Sequence, residues 1–190
     1  MIYKEKEFIL KNGMKVVFKT PEVTDAPLLL NNIIAVSAST DNLNSLPEDY
    51  DSFLKDITKE ESFISGYRDG DNYLIAVYKD DMIIGSSTIN FRKLKKEKHR
   101  STVGIAIREE YQNLGIGSYL FDEMINIAKE KDGVEQIELT VISTNHQAKH
   151  LYTKKGFFKT GDLPRHLKLE DGSYLDGEKM VLFLDKWCVV

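Results

Sequence analysis

Apolar residues recur along this chain in two rhythms. Alternation at every second position predicts half-buried strands, and spacing of three and four predicts helices packed by one face. "KEFILKNGMKVVFKT" is two apolar runs about Asn12-Gly13, the mark of a hairpin. "VTDAPLLLNNIIAVSAS" follows as a helix. Thr24 or Asp25 can cap it, Pro27 suits its first turn, and residues 28–36 supply the apolar face. "LPEDYDSFLKDIT" reads as a second, short helix, and "DNYLIAVYKDDMIIGSSTINF" as two antiparallel strands about Asp80-Asp81. The basic run "RKLKKEKHR" is a solvated turn into the strand "STVGIAI", and "REEYQ" is a loop.

In "YQNLGIGSYLFDEMINIAKE", Ile116, Leu120, Met124 and Ile127 step by four, four and three, so a helix lays one face on a sheet. "QIELTVIS" is a strand, and "NHQAKHLYTKKGF" a helix stopped by Gly156. "FFKT" and "EKMVLFL" are closing strands, and the Asp-Gly turn in "RHLKLEDGSYLDG" forms a small hairpin between them. No repeat, low-complexity tract or long linker interrupts the order. The expected architecture is α+β, one domain over residues 1–190 around a central mixed sheet.

Composition narrows the setting. The 190 residues are 42% hydrophobic and 29% charged, as in a globular protein with a real core. A net charge of −4 gives no general attraction to nucleic acid or anionic membrane, so neither is an expected partner. A single cysteine, Cys188, allows no internal disulfide and suits a reducing compartment. "MIYKEKEFIL" lacks the apolar core of a signal peptide, and no run approaches a membrane span. The expected location is cytoplasmic.

The candidate chemistry starts from two glycines, Gly115 and Gly117, where the long helix opens. Glycine costs about 1 kcal/mol against alanine inside a helix, so the backbone itself is wanted there. The first N–H groups of a helix lack internal acceptors and, with the helix dipole, attract anions. Gln112 can add an amide donor, so "QNLGIG" reads as a cradle for a phosphate or pyrophosphate. Two familiar phosphate motifs do not fit. A P-loop needs Gly-Lys-Ser/Thr, and here Gly117 meets Ser118 directly. A dinucleotide fingerprint needs a third glycine where Leu120 stands and an adjoining strand, whereas seven residues separate Ile107 from Gly115; Glu138 also sits inside its strand rather than at the carboxyl end.

"VGIAIREEYQNLGIGSYLFDEMINIAK" resembles the acetyl-CoA motif of the GNAT N-acetyltransferase superfamily: a strand, a short loop, then Q/R-x-x-G-x-G/A opening a helix. "IELTVISTNHQAKHLYTKKGFF" is similar to that superfamily's next strand, Asn-x-x-Ala-x-x-x-Tyr helix and Gly-Phe. The two motifs, in order, cover roughly residues 100–160, and "LEDGSYLDGEKMVLFL" resembles the tail of many small-amine or amino-acid acetyltransferases. The resemblance implies a single GNAT-like domain, its sheet mostly antiparallel, twisted and flanked by helices, with acetyl-CoA as co-substrate and no metal. It places Ile105 and Ile107 where a splayed strand hydrogen-bonds the pantetheine arm. It places Gln112, Asn113, Leu114, Gly115, Ile116, Gly117 and Ser118 on the pyrophosphate loop, Asn145 on the pantetheine, and Tyr152 facing the thioester sulfur as the acid for the departing thiolate.

The implied reaction is direct attack on the thioester by the primary amine of a small molecule or amino acid. Protein N-termini are the alternative acceptor, and a homodimer is compatible. The N-terminal helices and "LPRHLKLEDGSYLDG" would wall the acceptor site. Many members carry an acid near the start of the splayed strand; here Thr102 stands near that place, leaving His99, Glu109, Glu138 or water to take the proton. Plainer roles accompany each residue: Tyr152 as a core aromatic, Asn145 as a helix cap, Cys188 as packing. His146 and His150 have metal-compatible spacing but no H-E-x-x-H motif. Two other functions fit the same cradle: an acetyl-CoA sensor without turnover, and a nucleotide-binding regulator.

Overall fold

The computed structural model describes residues 1–184, so Trp187 and Cys188 lie outside the described residues. The strands are β1 (Lys6–Ile9), β2 (Lys15–Lys19), β3 (Tyr73–Lys79), β4 (Met82–Phe91), β5 (Arg100–Ile107), β6 (Gln136–Ile142), β7 (Phe158–Lys168) and β8 (Tyr174–Phe183). The helices are α1 (Ala26–Ser39), α2 (Asp51–Lys55), α3 (Thr58–Asp69), α4 (Ile116–Glu130) and α5 (His146–Lys154). The strands form a mixed sheet of order β1-β2-β3-β4-β5-β6-β8-β7. The described chain packs as two compact units, residues 1–90 with 104–120, and residues 91–103 with 121–184.

In the first unit β1, β2, β3 and β4 pair antiparallel in succession. Phe18, Leu74, Ile75, Ile83, Ile84 and Ile89 all lie out of water; the adjacent pairs Leu74–Ile75 and Ile83–Ile84 point to opposite faces, so the middle of this sheet is covered on both sides. Pro27 lies in the first turn of α1, as the sequence predicts. The carboxylate of Asp25 does not cap α1. It accepts the Glu22 N–H at 2.9 Å and the Tyr78 hydroxyl at 2.6 Å, which ties the start of α1 to β3. Leu29 of α1 and Ile64 of α3 meet Leu74, Ala76 and Ile83 in one cluster. Helix α3 is absent from the sequence reading. Its inward face carries Ile64 and Tyr67, with Ile57 just before it, but the buried acid Glu60 breaks that stripe and Phe63 faces water, so the apolar period is weak.

In the second unit β5 pairs parallel with β6 over Arg100↔Gln136, Ser101↔Ile137 and Thr102↔Glu138. β8 lies between β6 and β7 and pairs antiparallel with both. The small hairpin expected near Asp171-Gly172 is instead the far end of one long β7–β8 hairpin, interrupted by register shifts. Phe121 and Met124 of α4 are buried as its helical period requires, and Ala128 takes the inward place that the spacing gave to half-buried Ile127. Helix α5 ends as predicted at Gly156, whose φ is 93° and whose added Cβ would stand 3.2 Å from Leu182 Cδ1. No helix among the described residues is long and apolar enough to cross a membrane.

Candidate active site

The first unit holds the predicted cofactor strand and loop. Ser87 Oγ donates to Gly104 O at 2.8 Å, and the Arg108 N–H donates to Ile84 O at 3.1 Å, so the even-numbered backbone groups at this end of β5 address β4. Strand alternation turns the N–H and C=O of Ile105 and Ile107 the other way. The β6 ladder stops at Thr102, so those groups are not spent there. Such outward-facing groups are what an extended, peptide-like arm needs as partners.

Beyond β5 a short 3-10 turn, Glu109–Tyr111, leads to the glycine loop. Gln112 Nε2 donates to Ile107 O at 3.2 Å. The side chain expected to meet a phosphate therefore ties the loop to the strand end. Asn113 has φ 62° and Gly115 φ 104°. Such left-handed residues, set among right-handed ones, build the concave nests of N–H groups that bind anions. A Cβ on Gly115 would find Tyr119 Cε2 at 3.7 Å, an ordinary contact. The torsion, not crowding, is what requires glycine here. Tyr119 N–H donates to Gly115 O at 3.1 Å as α4 begins. The N–H groups of Ile116, Gly117 and Ser118, inside that first turn, have no acceptor in the helix. The loop is anchored on the β1–β2 hairpin: Lys11 N–H donates to Leu114 O at 3.2 Å, and the Tyr119 ring packs 4.8 Å from that of Phe8.

The second unit holds the other predicted residues. Asn145 Oδ1 accepts the Ala148 N–H at 3.0 Å and caps α5, leaving its amide hydrogens for another partner. Tyr152 is 8% exposed and stacks with Phe121 and Phe157, centroids 5.0 and 6.2 Å away. Burial pushes its phenol up to about 12. Glu138 is held by Arg100, by Lys179 at 3.0 Å and by Gln136 at 2.7 Å, and these bonds, the Arg100 one foremost, pull its carboxyl down to about 2. A carboxylate so stabilised is a poor proton acceptor, which removes Glu138 from the candidate bases. Glu109 is exposed in the 3-10 turn.

Ile105, Ile107 and residues 112–118 thus fall together in the first unit, and Asn145 and Tyr152 in the second. The sequence reading overlooked two side chains. Glu60 is buried on α3 and desolvation raises its carboxyl to about 7; its signal was an acid four residues before Ile64, on the only inward face of that helix. Arg108, the first charge after the apolar end of β5, reaches back to Ile83 O at 3.2 Å and to Asn31 Oδ1 at 3.1 Å.

A model of the acetyltransferase (GNAT) family matches residues 40–157. The chain is similar to L-amino acid N-acetyltransferase AaaT of Escherichia coli strain K12, 32% identical over 113 residues, 60% of this chain and 68% of that one. Among solved structures it resembles the acetyltransferase of the GNAT family from Streptococcus pneumoniae, with a TM-score of 0.81, 26% identity, and coverage of 88% of this chain and 99% of that one. It shares its fold with yncA from Salmonella typhimurium, solved with its cofactor acetyl-CoA, at a TM-score of 0.75, 15% identity, and coverage of 92% and 96%.

Proposed function

Because this chain belongs to the GNAT acetyltransferase family and is an acetyl-CoA-dependent N-acetyltransferase, we propose that its acceptor is the primary amine of a small molecule, an amino acid foremost. Residues 1–190 then act as a single GNAT-like domain, and the work is done in the cytoplasm. The observation that carries the placement of the cofactor is the loop in which Asn113 and Gly115 adopt left-handed torsions just where α4 opens. N–H groups of Ile116, Gly117 and Ser118 receive the pyrophosphate, with Gln112, Asn113 and Leu114 shaping the approach. The outward N–H and C=O of Ile105 and the N–H of Ile107, whose carbonyl already accepts from Gln112, pair with the pantetheine arm, and the free amide hydrogens of Asn145 donate to it.

The neutral amine nitrogen attacks the thioester carbonyl carbon, the C–S bond breaks, and the amide forms with loss of one proton from nitrogen. Binding both substrates at once supplies the largest share of the acceleration. A backbone N–H of β5 polarises the carbonyl oxygen. Tyr152 steadies the departing thiolate with its hydroxyl. With Glu138 committed to its cations, water takes the proton from the amine. The similarity to an L-amino acid N-acetyltransferase supports the choice of acceptor.

The test is free-thiol release from acetyl-CoA with a panel of amino acids, simple amines and short peptides. Turnover of free amino acids above peptides is expected. Peptide N-termini as the better acceptors would reassign the enzyme to protein modification. Binding of acetyl-CoA without release for any acceptor would make it a sensor.

A further inference from the structure

A groove of about 470 Å³ opens in the first unit, lined by Pro27, Leu30, Asn31 and Ile34 of α1, Leu54 of α2, and Ile57 just before α3. Its wall is aliphatic except for Asn31. That one polar residue accepts from Arg108 Nη2 at 3.1 Å, which sets the guanidinium at the rim. Arg108 Nε is engaged by Ile83 O at 3.2 Å. Five N–H donors serve two neutral oxygens, and no carboxylate among the described residues pairs with the cation. The backbone of Arg108 is fixed as well, through its N–H on Ile84 O at 3.1 Å. A positioned guanidinium with a planar fork to spare suits a carboxylate. An aliphatic cleft of this volume beside it suits an apolar chain.

We propose that this groove takes an aliphatic α-amino acid, its side chain against Leu30, Ile34 and Ile57 and its carboxylate on Arg108. Building on the proposed acyl transfer, the groove selects the acceptor: apolar amino acids over amines of the same shape that lack a carboxylate.

The deciding measurement is calorimetric titration of the protein, with and without saturating CoA, by L-leucine, L-leucinamide and 3-methylbutylamine. Leucine is expected to bind at least tenfold more tightly than either analogue. Arg108→Gln should erase that preference while leaving leucinamide and CoA affinities as they were. Ile34→Trp, which puts an indole on the groove wall, should weaken leucine at least tenfold and spare glycine. This second variant decides the matter if Arg108→Gln does not fold. Leucine binding no more tightly than leucinamide, or a preference that survives Arg108→Gln, would overturn the assignment. Absence of CoA binding and of thiol release would defeat the transfer reading instead, and the titrations without CoA would still decide what the groove holds.

Discussion

Glu60 and Glu138 are both buried glutamates, yet their surroundings give them opposite responses to pH. Glu60 has its carboxyl raised from 4.5 to about 7 by desolvation. The native state holds that proton more tightly than the unfolded chain, so the stability it lends is full below about pH 4.5 and is lost as pH rises through about 7. Glu138 is lowered from 4.5 to about 2 by its cations, so its contribution is present above about pH 4.5 and is lost as pH falls through about 2. Denaturant titrations should therefore show Glu60→Gln more stable than the parent at pH 8, with the gap closing toward pH 5. Glu138→Gln should be less stable at pH 7, by about 3 kcal/mol, with the gap closing toward pH 2. Parallel shifts at all pH values would disprove both assignments. Tyr152 follows from the same physics. Burial pushes its phenol up to about 12, above the ordinary thiol range of about 8.5, so full proton transfer to the thiolate is disfavoured. In the proposed reaction the hydroxyl then helps chiefly as a hydrogen-bond donor, short of the 10²–10⁴-fold typical of acid catalysis. Tyr152→Phe should lower kcat about ten- to hundredfold and leave CoA affinity unchanged; a full parental kcat, with chemistry limiting, would reduce Tyr152 to a wall.

Elements rather than single side chains make the strand and loop proposed to hold the cofactor. Gly115→Ala puts a Cβ on a residue at φ 104° and costs on the order of 1–2 kcal/mol in that loop conformation. CoA affinity should drop about tenfold with the fold intact, as read by calorimetry and circular dichroism. In the parent, CoA should slow amide hydrogen exchange at Ile105 and Ile107 and leave Ala106, turned toward β4, nearly as before. Uniform protection along β5 would contradict the alternation. This part of the molecule was legible in sequence because the glycines and the strand period are backbone requirements written in residue type. Asn145 and Tyr152 were legible as motif positions, though capping and burial account for much of what they do here. Helix α3 and Glu60 were not legible, because an acid at the inward position breaks the stripe of Ile57, Ile64 and Tyr67. Arg108 was not legible either, since its meaning comes from Asn31, far away in sequence and brought near by the packing of α1. The long β7–β8 hairpin was read as separate pieces because Pro164, Arg165 at φ 52° and the register shifts break its alternation.

At the scale of the whole molecule, the strand order places β8 inside the sheet, between β6 and β7. Seven residue pairs join it to β6, and its Lys179 reaches Glu138 at 3.0 Å. A chain stopped after Glu170 should lose hydrogen-exchange protection throughout Gln136–Ile142, since β6 then lacks both this ladder and this cation. Retained protection would show that β6 is held by its other neighbours. The order also has a consequence for biosynthesis. β6 and β7 precede β8 in the chain, so the edges they present to it stay open during synthesis until residues 174–183 have also left the exit tunnel. During that interval the exposed strand edges are open to mispairing with another chain, a hazard that ends when β8 docks between them.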